Sequence, residues 1–201
     1  DSLRAGMQIA DSINAAKAKL IYLVFEEFEK QLAGVAERNH WTREKKSNWY
    51  EYKEQSDEFF YKWNTTYPGI NYIVKDAPMP DGKQLWFRVE VEHRLFAGFC
   101  VFDPNAESEE GHGDQVDEYD RETEKAVGHY LNISVEDHKD WWATWWYLPA
   151  GEQKPNDSVP NFKIMNDAAI ALADKECRSE FVSLCVRNIE EMVERVLAIP
   201  E

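Results

Sequence analysis

The sequence is poor in several features that would have fixed its class at once. Its three cysteines, Cys100, Cys177 and Cys185, are odd in number and show no Cys-x-x-Cys spacing. Neither a disulfide framework nor a zinc site is indicated, and a reducing, cytoplasmic setting fits best. No apolar stretch of ~18 residues is present to act as a membrane span or a signal. The glycosylation-like triplets at Asn64, Asn132 and Asn156 therefore read as chance matches. Cations are scarce, with 23 Lys and Arg against 38 Asp and Glu and a formal charge of −15. A polyanion repels a polyanion, so broad binding to a phosphate backbone is disfavoured. No P-loop, Gly-rich dinucleotide fingerprint or Ser/His/Asp set occurs, and there are no internal repeats. The histidines, His40, His93, His112, His129 and His138, have no spacing that singles one out.

What is there is a foldable chain. Hydrophobic residues make up 43% of the 201 positions and aromatics 13%, including eight Trp, which is too apolar for a disordered acidic tail. The expectation is a single α+β domain over residues 1–201. The chain opens DSLRAG, without Met and already in helical rhythm, which reads as a fragment of a longer chain.

Periodicity supplies the elements. Ile13, Leu20, Val24, Phe28 and Leu32 recur at four or seven over residues 3–33, predicting a long amphipathic helix with Gly34 as its C-cap. Residues 35–47 have no clean period and read as a connection. A second helix is expected over 48–64, with Phe59, Phe60 and Trp63 inward. The period then drops to two: strands are expected over 70–76, 84–92 and 94–103, with Asp81-Gly82 at the tip of the first turn. Leu85, Phe87, Val89 and Val91 share one face of the middle strand, while Trp86, Arg88, Glu90 and Glu92 share the other. Such an antiparallel meander needs cover on one face, and the first helix is the obvious cover. Further on, a helix is expected over 118–132, a strand within 140–148, at most a short strand at 161–165, and a helical close. In that close Asn166 or Asp167 is the N-cap, and Phe181, Leu184, Cys185, Ile189, Met192 and Val196 form one stripe. The fold class is thus α+β, with the long N-terminal helix and the C-terminal helices packed on an antiparallel meander.

Pro80-Asp81 followed by Glu90-Val91-Glu92 nearly spells the P-D…[DE]-x-K centre of Mg²⁺-dependent nucleases. That chemistry needs a Lys two residues after the second acid to direct the attacking water. Glu92 stands in its place, so Glu90 and Glu92 read as a solvent-facing or ion-paired row opposite Arg88. Glu109, Glu110, His112 and Asp114 are possible ligands for a divalent cation, but their spacing fits no calcium loop, and a solvated acidic loop is the simpler reading. Trp141, Trp142, Trp145 and Trp146 are candidates for a stacking pocket; core packing with one or two rim rings is the competing reading. Arg88, Glu90 and Glu92 join them as candidate ligand-binding residues. Arg43, Lys45, Lys46 and Trp49 form the one basic and aromatic patch through which nucleic acid could be met.

The opening helix MQIADSINAAKAKLIYLVFEEFEKQLAG, with YPGINYIV, LWFRVEVEHRLFAGFCVFD and the WW-containing segment, resembles the C-terminal region of bacterial PD-(D/E)XK nuclease superfamily proteins. The resemblance is strongest over 7–34 and 68–103 and rests on patterns rather than catalytic signatures. It implies a non-catalytic recognition or regulatory domain of a restriction or phage-defence nuclease. The catalytic residues and Mg²⁺ would then belong to the parent's upstream domain, and none maps here. Two other functions fit the composition: a protein-interaction or assembly module acting through the first helix and the Trp-rich segment, and an acidic mimic of nucleic acid that binds a basic partner.

Overall fold

The computed structural model describes residues 2–45, 51–61, 66–107, 113–134, 141–149 and 156–197. In chain order the elements are α1 (Ser2–Arg38), β1 (Trp41–Glu44), α2 (Tyr52–Gln55), β2 (Gly69–Val74), β3 (Gln84–Val91), β4 (Leu95–Asp103), β5 (Asp114–Gln115), α3 (Arg121–Leu131), β6 (Thr144–Tyr147), α4 (Asp167–Ala171) and α5 (Lys175–Leu197). The fold is α+β, as the periodicity predicts.

The strands form one antiparallel sheet in the order β1-β2-β3-β4-β5, with β6 also on β4. The outer edge of β4 is shared: Phe96 to Phe99 pair with β6, and Phe102 and Asp103 with β5. Across the middle, Asn71 of β2, Arg88 of β3, Gly98 of β4 and Trp145 of β6 stand in one row. Glycine is needed at position 98, because a Cβ there would lie 2.2 Å from the Thr144 carbonyl oxygen and 2.8 Å from Trp145 Cα. A side chain would push β6 off the sheet.

Helices cover one face. Leu85, Phe87, Val89 and Val91 of β3 and Ala97, Phe99 and Val101 of β4 meet Ile21, Val24, Phe25, Phe28 and Leu32 of α1 and Val182, Cys185 and Ile189 of α5 in one apolar cluster. Each large side chain removed from water there contributes about 1.5–3 kcal/mol before chain entropy is counted. A polar seam joins the two helices: Ser183 Oγ donates to Gln31 Oε1 at 2.8 Å, and Ser179 Oγ donates to Glu27 at 3.2 Å. Asn166 caps α4 by accepting from the Ala169 amide, and Asp120 caps α3 by accepting from Glu122 and Thr123.

Several expectations are corrected. α1 runs past Gly34 to Arg38, and the expected connection ends in β1, whose four residues lie antiparallel to Asn71–Val74. Of the expected helix over 48–64, only Tyr52–Gln55 is helical among the described residues, and Trp63 lies outside them. Residues 162–165 turn rather than extend. On α5, Cys185, Ile189 and Val196 are buried as expected and are joined by Val182, Val186 and Val193, whereas Leu184 is 45% exposed. Ile13 is exposed, because the body of the protein reaches α1 only from about Lys17 onward.

Candidate functional site

The sheet face turned away from the helices carries the residues that the sequence singled out. Arg88 and Glu90 point to the same side of β3 because a strand repeats every two residues. They are buried, 1% and 6% exposed, and paired with each other, so of the two expected arrangements, solvent-facing or ion-paired, these two residues adopt the ion-paired one, within one strand rather than across strands. Arg88 Nη2 pairs with Glu90 Oε2, and Nη1 donates to Gln115 Oε1 at 2.7 Å. Its guanidinium lies 5.4 Å from the centre of the Trp142 ring, and Gln115 donates in turn to the Trp141 carbonyl. Trp86 stacks on Phe102 at 3.9 Å beside buried Cys100. The Arg88–Glu90 pair thus sits between two aromatic patches, with Phe96 edge-on to both Trp142 and Trp145 at 5.3 and 5.8 Å.

Burial governs the chemistry of this cluster. It lifts the Glu90 carboxyl to about 7, with the Arg88 charge opposing the rise and Glu92 adding to it. Burial likewise pushes the Cys100 thiol up to about 12, against the pull of Arg88. The carboxyl and the guanidinium are thus engaged with each other beneath the rings. The arrangement organises the sheet.

The four tryptophans do not form one pocket. Trp146 faces the helices and is fully buried, Trp145 and Trp142 lie on the opposite face partly covered, and Trp141 is 46% exposed. Alternation along β6 sends neighbouring rings to opposite sides, so core packing with rim rings is the arrangement observed. Glu92 is exposed beyond the end of β3.

The nuclease-like acids are too far apart to share a cation. Asp81 occupies a left-handed position, φ 55°, in the Pro80–Gly82 turn before β3, whereas Glu90 lies near the far end of that strand. The six steps from Gln84 to Glu90 alone span about 20 Å. Asp81 instead faces Lys83 at 3.6 Å. Among the described residues no three His, Cys, Asp or Glu side chains gather as a metal site. Glu109, Glu110 and His112 lie outside the described residues.

Arg43, the first member of the expected basic patch, is turned inward. Its Nη2 donates to both carboxylate oxygens of Glu51 at 2.9 and 2.7 Å, and its Nε lies 3.3 Å from Glu29. Glu29 also accepts from the Tyr52 hydroxyl at 2.8 Å and pairs with Lys53 and Lys45 at 3.2 and 3.5 Å. Burial raises the Glu51 carboxyl despite Arg43. In Glu29 burial is outweighed by the Tyr52 hydrogen bond and by Arg43 and Lys53, and its carboxyl is lowered. Trp41 stacks on Phe87 at 4.5 Å and Tyr52 on Phe25 at 5.5 Å. These rings are core, so they are closed to a nucleobase. Lys46 and Trp49 lie outside the described residues.

The first turns of α1 leave apolar side chains uncovered, and sequence periodicity ran straight through them. Residues 2–13 of α1 are all exposed, and Leu3, Met7, Ile9 and Ile13 are 77%, 61%, 62% and 48% accessible. At 100° per residue Leu3, Met7, Ala10 and Ile13 continue the same face that Ile21, Val24 and Phe28 bury farther along. The apolar stripe therefore outruns the core.

Fold and site together define an α+β protein whose antiparallel sheet is backed by helices on one face and closed by a buried Arg-Glu pair and aromatic rings on the other. The chain matches no family model, no curated protein and no solved structure. No helix among the described residues is long and apolar enough to cross a membrane.

Proposed function

We propose that this chain is a protein-interaction module that docks another protein on the N-terminal arm of α1, residues 2–17. The exposed continuation of the apolar stripe carries the reading. The folded body supplies the helix nucleus, so extension is possible, yet the arm contains Ser2, Gly6, Ser12 and Asn14, all weaker helix formers than Ala. Helical turns of that composition gain their stability from a covered apolar face. Covering Leu3, Met7, Ile9 and Ile13 would contribute about 1.5–3 kcal/mol for each side chain, against the entropic cost of association.

Nothing in the buried Arg88–Glu90 cluster asks for a substrate, so the reading is non-catalytic. The resemblance to nuclease C-terminal regions would make the partner a nuclease domain, but the arm's chemistry does not require one.

The test is a photoreactive amino acid placed singly at Leu3, Met7 or Ile9 in cells that make the protein, with exposed Ile170 of α4 as the control position. Discrete protein adducts at the arm and none at Ile170 are expected. No adduct at the arm, or equal labelling at Ile170, overturns the reading.

A further inference from the structure

Resting on that docking reading, we infer that the partner covering the arm is a second copy of this chain, paired antiparallel through residues 2–13. The charge pattern singles out this partner. Arg4 and Asp11 are the only ionisable side chains between Ser2 and Ala16, in a chain whose overall charge is −15. The arm, with one charge of each sign, is thus an exposed helical stretch on which two such polyanions can approach with little repulsion.

The two charges are also placed for self-recognition. Seven residues apart, they sit one above the other on one flank of the apolar stripe, two turns of helix from each other. When two arms cross antiparallel about a two-fold axis between Met7 and Gln8, the same flanks come together. Arg4 of each copy then lies level with Asp11 of the other, giving two equivalent ion pairs. A parallel pair would set the charged flank of each arm beside the uncharged flank of the other, Ala5, Ile9 and Ser12, and would form neither ion pair. Along the stripe the two Met7 side chains meet at the axis, and Leu3 of each copy falls beside Ala10 and Ile13 of the other. Gly6 and Ala10 leave room for the axes to draw close. The opposite flank, Ala5, Ile9 and Ser12, carries no charge to oppose the contact.

The arm spans about four turns, some 24 Å, so the contact belongs at the small end of specific interfaces. The association is correspondingly weak and concentration-dependent.

Sedimentation velocity on the 201-residue chain over roughly 1 µM to 1 mM covers the range in which such a contact dissociates. A monomer–dimer equilibrium is expected. Arg4→Asp alone and Asp11→Arg alone should each weaken dimerisation about tenfold, since both symmetric pairs become repulsive. The double reversal Arg4→Asp/Asp11→Arg should restore it, because each new Asp again meets a new Arg. Met7→Glu, which sets two carboxylates at the axis, should give monomer with the circular dichroism of the body unchanged, as Met7 is exposed in the single chain.

A monomer throughout the range overturns the proposal. So does a double reversal as weak as either single change, or a dimer indifferent to Met7→Glu. Photo-cross-links from the arm that carry only some other protein, with none at twice the mass of the chain, would overturn self-pairing while the docking reading stands. Absence of any arm adduct would remove both.

Discussion

Changing Arg88 or Glu90 should alter how the stability of this protein depends on pH, in a way that names the buried pair. Burial raises the folded-state carboxyl of Glu90 from 4.5 to about 7. A raised acid binds its proton more tightly in the folded chain, so its contribution is fully present below about pH 4.5 and is lost as pH rises through about 7. At about 1.4 kcal/mol per pH unit, the wild type should lose up to about 3 kcal/mol from this one group across that window. Glu90→Gln, which cannot ionise, should abolish that part of the slope. Arg88→Met should be costly above pH 7, by about 3–5 kcal/mol, because a buried carboxylate loses its guanidinium. At pH 5 the carboxyl is protonated and the cost should fall. The double change Arg88→Met/Glu90→Met should recover most of the loss, since removing both charges leaves neither stranded. Urea unfolding followed by tryptophan fluorescence at pH 5 and pH 8 measures all four proteins. If Glu90→Gln keeps the wild-type slope, or Arg88→Met costs the same at both pH values, burial is not what controls this pair.

Gly98→Ala should destabilise by about 1–3 kcal/mol or more, because its Cβ would enter the backbone of β6; a thermal melt checks this, and an unchanged midpoint refutes the close approach. Of the three free thiols, Cys177 alone is exposed, so an aromatic disulfide reagent should modify one cysteine in the native protein, slowly because desolvation and then the neighbouring carboxylates Asp174 and Glu180 raise that thiol, and the others only on unfolding. Asn166→Ala should cost about 0.5–2 kcal/mol by uncapping α4, and more if the bonds from Asn166 to Asp157 and Val159 are also counted; chemical denaturation reads it, and a neutral result would deny the cap its role.

The three central strands, the Asp81-Gly82 turn and the closing helices α4 and α5 could be read from the sequence because the cause of each is local. Alternation of Leu85, Phe87, Val89 and Val91 fixes a face, and the Asx cap at Asn166 fixes a start. β1 could not be read that way. WTRE has little pattern of its own and is extended because Asn71–Val74 offer it a hydrogen-bonding edge. The arm was visible as amphipathic helix, but periodicity reports which side of a helix is apolar and not whether anything lies against it.

The candidate site shows the same division. From the sequence came the placement of Arg88 and Glu90 on one side of β3, and the suspicion that their motif lacked a catalytic lysine. Whether that side is wet was decided by Gln115 and Trp142, distant in sequence, which fold over the pair. The fate of Arg43 was decided likewise, by Glu29 from one helix and Glu51 from another segment. By itself the sequence determined composition, charge, strand faces and helix stripes, all of which follow from neighbours a few residues apart. Only the tertiary structure decided which polar groups are buried and which apolar ones are left outside, because burial is a property of everything that packs around a residue, and the free energy of a charge depends on that surrounding more than on the residue itself.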